Sequence, residues 1–129
     1  MREKYLINNN SQNLLIFFTG WGCDEYEFEH LKSDCDVLLL YDYSDLNLDF
    51  DFSEYKNFDL ISFSAGVFVA SIIDFDFKIN NKIALSGNPY LFDEKLGLSS
   101  RGINQRLTHH TCGTLCYGYR LNPLTSLRR

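Results

Sequence analysis

Phe58-Asp59-Leu60-Ile61-Ser62-Phe63-Ser64-Ala65-Gly66-Val67-Phe68-Val69-Ala70 is the stretch that decides the fold, because an apolar run ends at a Ser-x-Ser-x-Gly turn and a second apolar run follows at once. Read locally, it is a strand that delivers a serine onto a sharp turn and leaves as a buried helix, the arrangement called a nucleophile elbow. Ser64 is the candidate nucleophile. The residues two before and two after it must be small, since bulk there collides with the reversed backbone and the neighbouring strands. Ser62 and Gly66 meet that demand, although glycine is the usual residue where Ser62 stands. The plain alternative makes Ser64 an ordinary small residue at a strand–helix junction.

Outward from this stretch, strand and helix patterns alternate. Tyr5-Leu6-Ile7 reads as a short strand closed by the turn cluster Asn8-Asn9-Asn10-Ser11, which suggests a hairpin with the next strand. Leu14-Leu15-Ile16-Phe17-Phe18 and Val37-Leu38-Leu39-Leu40-Tyr41 are continuous apolar runs, the mark of strands covered on both faces. Between them lies the loop Gly20-Trp21-Gly22-Cys23-Asp24, whose Asp24 caps an expected helix carrying Tyr26, Phe28 and Leu31. Residues 46–55 alternate acids with Leu and Phe and fit either a short amphipathic segment or a loop. Residues 65–74 read as the buried helix, and Lys82-Ile83-Ala84-Leu85-Ser86 as a last strand stopping at Gly87-Asn88-Pro89. Such alternation predicts an α/β fold with a mainly parallel sheet flanked by helices. Ser64, the Gly20 loop, Asp42 and the Asn88 loop would then gather at the carboxyl edge of the sheet.

A chain of 129 residues suits one domain. Its residues are 45% hydrophobic and 16% aromatic, with 11 Phe and 8 Tyr, which excludes a disordered class. No apolar stretch approaches the roughly 18 residues of a membrane helix, and Met1-Arg2-Glu3-Lys4-Tyr5 lacks the apolar core of a signal peptide, so a cytoplasmic protein without membrane association is expected. Cys23, Cys35, Cys112 and Cys116 are irregularly spaced and are expected as reduced thiols.

The net charge of −5 is unevenly spread. Residues 1–99 hold all 17 acidic and seven of the 12 basic residues, a balance of −10, whereas residues 100–129 hold five Arg and no acid, +5. Two of the three His and two of the four Cys also lie in the last 30 residues. A change of reading frame or a foreign terminal segment would produce such a switch. The expected organisation is an incomplete hydrolase-like core over 1–99 and an atypical basic tail over 100–129, frameshifted or disordered. Nucleic acid is not an expected partner, because the arginines lack aromatic interleaving and the acidic body would repel phosphates.

A serine nucleophile needs an oxyanion hole, a base and a carboxylate that orients the base. One amide of the hole belongs to Ala65, at a helix start whose dipole favours negative charge. The other is expected from Thr19-Gly20-Trp21-Gly22, with the Trp21 amide as donor. Asp93, in the loop after the last strand, is the candidate carboxylate, and Asp42 competes with it. His109 and His110 are the histidines after the elbow; His30 reads as a solvated helix residue. His109, His110, Cys112 and Cys116 have no standard zinc spacing, so no metal is expected. Cys23 lacks a basic partner to lower its pKa and is a poor rival nucleophile.

Phe17-Phe18-Thr19-Gly20-Trp21-Gly22, Ser62-Phe63-Ser64-Ala65-Gly66-Val67 and the segment from Leu85-Ser86-Gly87-Asn88-Pro89 through Asp93-Glu94-Lys95-Leu96-Gly97-Leu98 resemble the BioG-type esterases over roughly residues 4 to 98. The resemblance implies a partial α/β-hydrolase fold, hydrolysis of the methyl ester of pimeloyl-acyl-carrier protein in biotin synthesis, no cofactor, and an acyl-carrier protein as partner. It makes Ser64 the acyl acceptor and the Trp21 and Ala65 amides the oxyanion hole. Those esterases carry lid segments and a catalytic histidine well downstream, where this chain has its basic tail. A catalytically inactive, truncated remnant is therefore the competing expectation. A non-enzymatic, flavodoxin-like binding module is the third, and the missing Thr- and Gly-rich phosphate loop after the first strand speaks against it.

Overall fold

The two continuous apolar runs occupy the middle of the sheet. In the computed structural model, which describes residues 1–90 and Lys95, these are β2 (Asn13–Phe18) and β3 (Asp36–Tyr41), with every residue of β3 buried. Around them lie β1 (Arg2–Ile7), β4 (Asn57–Phe63) and β5 (Asn81–Leu85), in the order β1-β3-β2-β4-β5. The β3–β2, β2–β4 and β4–β5 pairings are parallel, and β1–β3 is antiparallel. The mainly parallel α/β sheet is as expected. The hairpin is not: β3 and β4 occupy both edges of β2, so β1 pairs across the far edge of β3 instead.

Side chains alternate across a strand, and the two faces are dressed differently. Leu14, Ile16, Phe18, Leu38, Leu40, Phe58 and Leu60 form the core with Val69 of α1 (Ala65–Ile72), the crossover helix from β4 to β5. The helix is two residues shorter than expected, because Ile73 is already extended. Residues 46–55 are irregular and plug one end of this core with aromatic rings. Phe52 packs on Phe58, Phe75 and Phe77, and Phe77 stacks on Phe58 at 3.8 Å between ring centres. On the opposite face Phe28 meets Phe17 at 4.9 Å, while Ile83 and Leu85 of β5 stay about half exposed, at 49% and 48%.

Phe28 belongs to a single 3₁₀ turn (Glu25–Phe28), where a longer helix was expected. Asp24 does cap it: its carboxylate accepts from the Tyr26 amide at 2.9 Å, and Glu27 accepts from the Asp24 amide at 3.0 Å. Glu25 and Glu27 suit the positive end of the helix dipole, but the turn buries no residue and no basic residue meets its negative end, so it does not elongate. Among the described residues no helix is long and apolar enough to cross a membrane.

At the amino edge of the sheet, Asp36 is buried yet satisfied. Its Oδ1 accepts from the amides of Asn9 (2.7 Å) and Ser11 (3.1 Å), and its Oδ2 from the Tyr55 hydroxyl (2.8 Å), which in turn meets Tyr5 at 2.6 Å. Burial alone raises the pKa of this carboxyl, but the bonds from Asn9, Ser11 and Tyr55 outweigh it and hold the group below its ordinary value. A folded pKa below the unfolded one contributes stability that is complete above the ordinary carboxylate range and is lost as pH falls through the folded value. Asp36→Asn keeps an acceptor for the amides but presents an NH₂ to the Tyr55 hydroxyl. It is expected to cost about 1 to 2 kcal/mol near neutrality and to flatten the acid-side loss of stability. Urea titrations of both proteins between pH 7 and pH 3 check this; parallel pH profiles would remove Asp36 from the acid transition.

Candidate active site

At the end of β4 the backbone makes a turn that an L-residue resists. Ser64 has φ 53° and ψ −118°, outside the broad allowed regions, and such geometry persists only where surrounding contacts impose it. Here they do. The Ser64 amide donates to the Leu85 carbonyl at 2.9 Å, and the Ser64 carbonyl accepts from the Val67 amide at 3.1 Å. A Cβ on Gly66 would lie 2.5 Å from the carbonyl oxygens of both Phe18 and Thr19, so only glycine lets α1 press against the end of β2. A Cβ on Gly87 would sit 2.4 Å from the Ser64 carbonyl and 2.3 Å from Val67 Cγ2. Ser62, buried beneath α1, donates its hydroxyl to the Ile83 carbonyl at 3.3 Å.

Ser64 occupies the N-cap position of α1, where a serine ordinarily accepts a bond from the first turn. It makes no such side-chain bond and is half-buried. The Ala65 amide is the first in the helix and, like all first-turn amides, has no partner within it. An oxygen developing negative charge near that end meets both an unused N–H and the positive end of the dipole.

Because β2 and β4 are adjacent and parallel, with Phe18 opposite Ser62, the loop after β2 emerges beside the elbow. Residues 20–23 form a turn closed by the Cys23 amide on the Gly20 carbonyl at 3.4 Å. Gly22 has φ 77°, the value a type II turn demands at its third residue. Among the described residues nothing bonds the Trp21 amide, and Trp21 is 36% exposed. A Cβ on Gly20 would lie 3.1 Å from the Phe63 ring. Trp21, Ser64 and Ala65 thus lie at one edge of the sheet.

Asp93, His109, His110, Cys112 and Cys116 lie outside the described residues. Asp42 follows β3 at the same edge, with φ 52°. Its Oδ2 is 3.1 Å from Arg2 Nε, and its buried Oδ1 has no hydrogen-bond partner among the described residues. The intervening β2 separates it from the elbow. His30 is exposed, and no hydrogen bond joins it to Ser64. Burial, with Glu27 next to it, pushes the Cys23 thiol up to about 11, so it is a weak nucleophile near neutrality. Among the described residues no three His, Cys, Asp or Glu side chains gather as a metal site. Two concavities of about 520 Å³ lie elsewhere, one lined by Phe50, Phe52, Phe75 and Phe77, the other by Leu15, Ile61 and Ile83.

Sequence reasoning missed Gly87 and Tyr43. Gly87 was read only as a strand stop, yet it admits the backbone at Ser64. Tyr43 sits in a polar loop after β3, and its hydroxyl donates to the carbonyls of Thr19 (2.9 Å) and Leu40 (3.0 Å). No local signal pointed to it, because both acceptors are set by tertiary pairing.

The family described as pimeloyl-ACP methyl esterase BioG matches residues 1–120. The crystal structure of BioG from Haemophilus influenzae has the same fold, with a TM-score of 0.75 at 31% identity, over 86% of this chain and 52% of that one. The shared architecture is a partial α/β-hydrolase fold. An uncharacterized protein of Haemophilus influenzae is 33% identical over 116 residues, 86% of this chain and 54% of that protein. A malonyl-[acyl-carrier protein] O-methyltransferase of Bacteroides fragilis is 37% identical over 90 residues, 65% of this chain but 18% of its own length. The chain spans about half the length of the Haemophilus relatives.

Proposed function

The chain belongs to the BioG family of pimeloyl-ACP methyl esterases, and from that premise we propose that it carries out serine-dependent hydrolysis of a carboxylic methyl ester. The observation that carries this reading is the strained, uncapped Ser64 at the start of α1, with the Trp21 loop beside it. Ser64 Oγ attacks the ester carbonyl, and the carbonyl oxygen takes up negative charge between the Trp21 and Ala65 amides. Methanol leaves, and water then cleaves the acyl-serine bond to regenerate Ser64 and free the acid. No step calls for a cofactor.

The substrate class is a methyl ester carried on an acyl-carrier protein, specifically the pimeloyl ester for which the family is named, and the setting is cytoplasmic biotin synthesis. The Bacteroides relative is named for methylating a carrier-bound acid, which supports a carrier-bound methyl ester as the group to be removed. Asp93 is the proposed orienting carboxylate, and the base would come from a histidine beyond the described residues. The division into a hydrolase-like core over 1–99 and a basic tail over 100–129 belongs to the same proposal. The family match crosses that boundary and runs to residue 120.

One observation favours a second reading. The described residues supply no histidine bonded to Ser64, and a family member without a base would be a catalytically inactive remnant that retains the binding surface. Loss of a triad member costs about 10⁴ to 10⁶ in turnover and leaves roughly 10³ to 10⁴ over water.

A fluorophosphonate probe tests the first reading. Its phosphorus bonds to Ser64 Oγ as fluoride leaves, and the adduct should map to the peptide containing Ser64. In Ser64→Ala labelling is expected to fall to background. Equal labelling of both proteins would remove Ser64 from the mechanism. A parent that takes no label and turns over no methyl ester would favour the inactive remnant.

A further inference from the structure

We infer that Tyr43 is a positioning residue for the oxyanion loop: its hydroxyl ties the Thr19 peptide, from which the Trp21 amide is suspended, to the end of β3. The inference rests on the reading of Ser64 as acyl acceptor and names a residue that this reading does not use.

The geometry closes a small circuit. Thr19 is wholly buried and is the first residue after β2. Its amide donates to the Leu40 carbonyl at 3.0 Å, as though the β2–β3 ladder ran one rung further. Its buried carbonyl needs a donor of its own. Tyr43 supplies it. The single phenolic hydrogen is shared between the Thr19 oxygen at 2.9 Å and the Leu40 oxygen at 3.0 Å, a three-centre arrangement. Leu40 accepts from both the Thr19 amide and the phenol, which its two lone pairs allow. The amide and the carbonyl of Thr19, which belong to the peptide units on either side of its Cα, are therefore both tied to the chain at the end of β3.

The Thr19 carbonyl is also where the two halves of the site meet. The Thr19 oxygen held by Tyr43 is one of the two that a Gly66 Cβ would strike at 2.5 Å, so its direction sets how closely α1 and the Ala65 amide approach β2. One residue further on, Gly20 opens the turn that presents Trp21. Neither Gly20 nor Gly22 restrains the backbone by itself, so among the described residues the β2 side of the turn is held at Thr19, whose hydroxyl also donates to the Gly20 carbonyl at 3.4 Å. If the peptide after Thr19 rotates, the Trp21 amide moves relative to Ser64. A shift of about 1 Å can cost about 100-fold in rate, and loss of one oxyanion donor costs about 10² to 10³. The Tyr43 ring is packed against the core, so burial pushes its phenol well above the ordinary value and keeps it a donor at every working pH.

Tyr43→Phe removes the hydroxyl and keeps the ring. Tyr55→Phe is the matched control, removing a phenol that bonds Asp36 at the opposite edge of the sheet. With the fluorophosphonate probe, Tyr43→Phe is expected to lower the limiting labelling rate about 10- to 100-fold with the half-saturating concentration within about twofold. Tyr55→Phe should lower Tm without changing either constant. Amide hydrogen exchange should accelerate at residues 19–22 in Tyr43→Phe and remain as in the parent in Tyr55→Phe. A reactive parent with Tyr43→Phe labelling at the same rate, or unchanged exchange at residues 19–22, would overturn the tether and leave the Ser64 reading intact. A parent that takes no label overturns the reading of Ser64 and the positioning role with it.

Discussion

Gly66→Ala is expected to lower Tm by about 10 to 15 °C, the result of a single added methyl group costing about 3 kcal/mol. The size follows from what the methyl meets. Overpacking a core of side chains usually costs about 1 to 3 kcal/mol because neighbours rotate aside. At Gly66 the neighbours are the Phe18 and Thr19 carbonyl oxygens at 2.5 Å and the Phe18 carbonyl carbon at 2.7 Å. The Phe18 atoms belong to β2, which is held on both edges by β3 and β4, and the Thr19 oxygen follows it directly with its own amide bonded to Leu40, so neither can readily give way. The helix must move instead, and with it go the Val69 contact to the core and the Ala65 amide. The loss should therefore exceed that of Gly20→Ala, whose nearest contacts are the Phe63 ring at 3.1 Å and the Cys23 sulfur at 3.3 Å, both side chains able to shift. Thermal unfolding of the two variants beside the parent checks the ranking. A Gly66→Ala protein that melts with the parent would mean that α1 is not seated on β2 as described.

The elbow was legible because everything that makes it is close in sequence. An alternating strand, a small residue on each side of Ser64 and an apolar helix give the turn without any knowledge of partners. The parallel sheet was legible for a related reason, since the runs in β2 and β3 are apolar at every position and only a strand covered on both faces tolerates that. The cap at Asp24 was also local, and it was found. Its helix shrank to one 3₁₀ turn because that turn buries no residue and has no basic side chain in its last turn, and capping alone does not offset the cost of continuing.

What was not legible depends on distant pairing. Tyr5-Leu6-Ile7 carries no mark of its partner, and the Asn cluster after it imitates a hairpin turn. Its actual task is to deliver the amides of Asn9 and Ser11 to Asp36. Residues 46–55 kept both readings open because their alternation is real but serves to insert Phe52 among rings contributed by β4 and by the chain after α1, and Phe50 beside Tyr5 of β1. The acceptors of Tyr43 exist only once β2 and β3 are side by side. Three residues that end parallel strands, Asp42, Ser64 and Ser86, have positive φ, at 52°, 53° and 50°. None of them is glycine, and so composition gave no hint that this edge holds strain.

The strain at Ser64 makes a prediction that separates a functional residue from a structural one. Replacing it with glycine should stabilise the fold and abolish its chemistry together. For an L-residue the pair φ 53°, ψ −118° brings Cβ into conflict with the backbone, at a cost of about 1 to 3 kcal/mol. For glycine the same pair is the mirror image of ordinary extended backbone and carries no such cost. Part of the gain is offset by the greater freedom of glycine in the unfolded chain, so Ser64→Gly is expected to raise stability by about 1 kcal/mol. The serine makes no side-chain cap bond whose loss would cancel that gain. Methyl-ester hydrolysis, by contrast, should fall by about 10⁴- to 10⁶-fold relative to the parent, the range seen when a nucleophile is removed from an otherwise intact site. Ser64→Ala provides the comparison: it loses the hydroxyl equally but keeps a Cβ, so it should be as inactive without being stabilised. Urea unfolding and a methyl-ester assay on the three proteins decide the matter. A destabilised Ser64→Gly would show that the serine contributes to the fold at this position, and a Ser64→Gly protein as active as the parent would place the reacting group elsewhere.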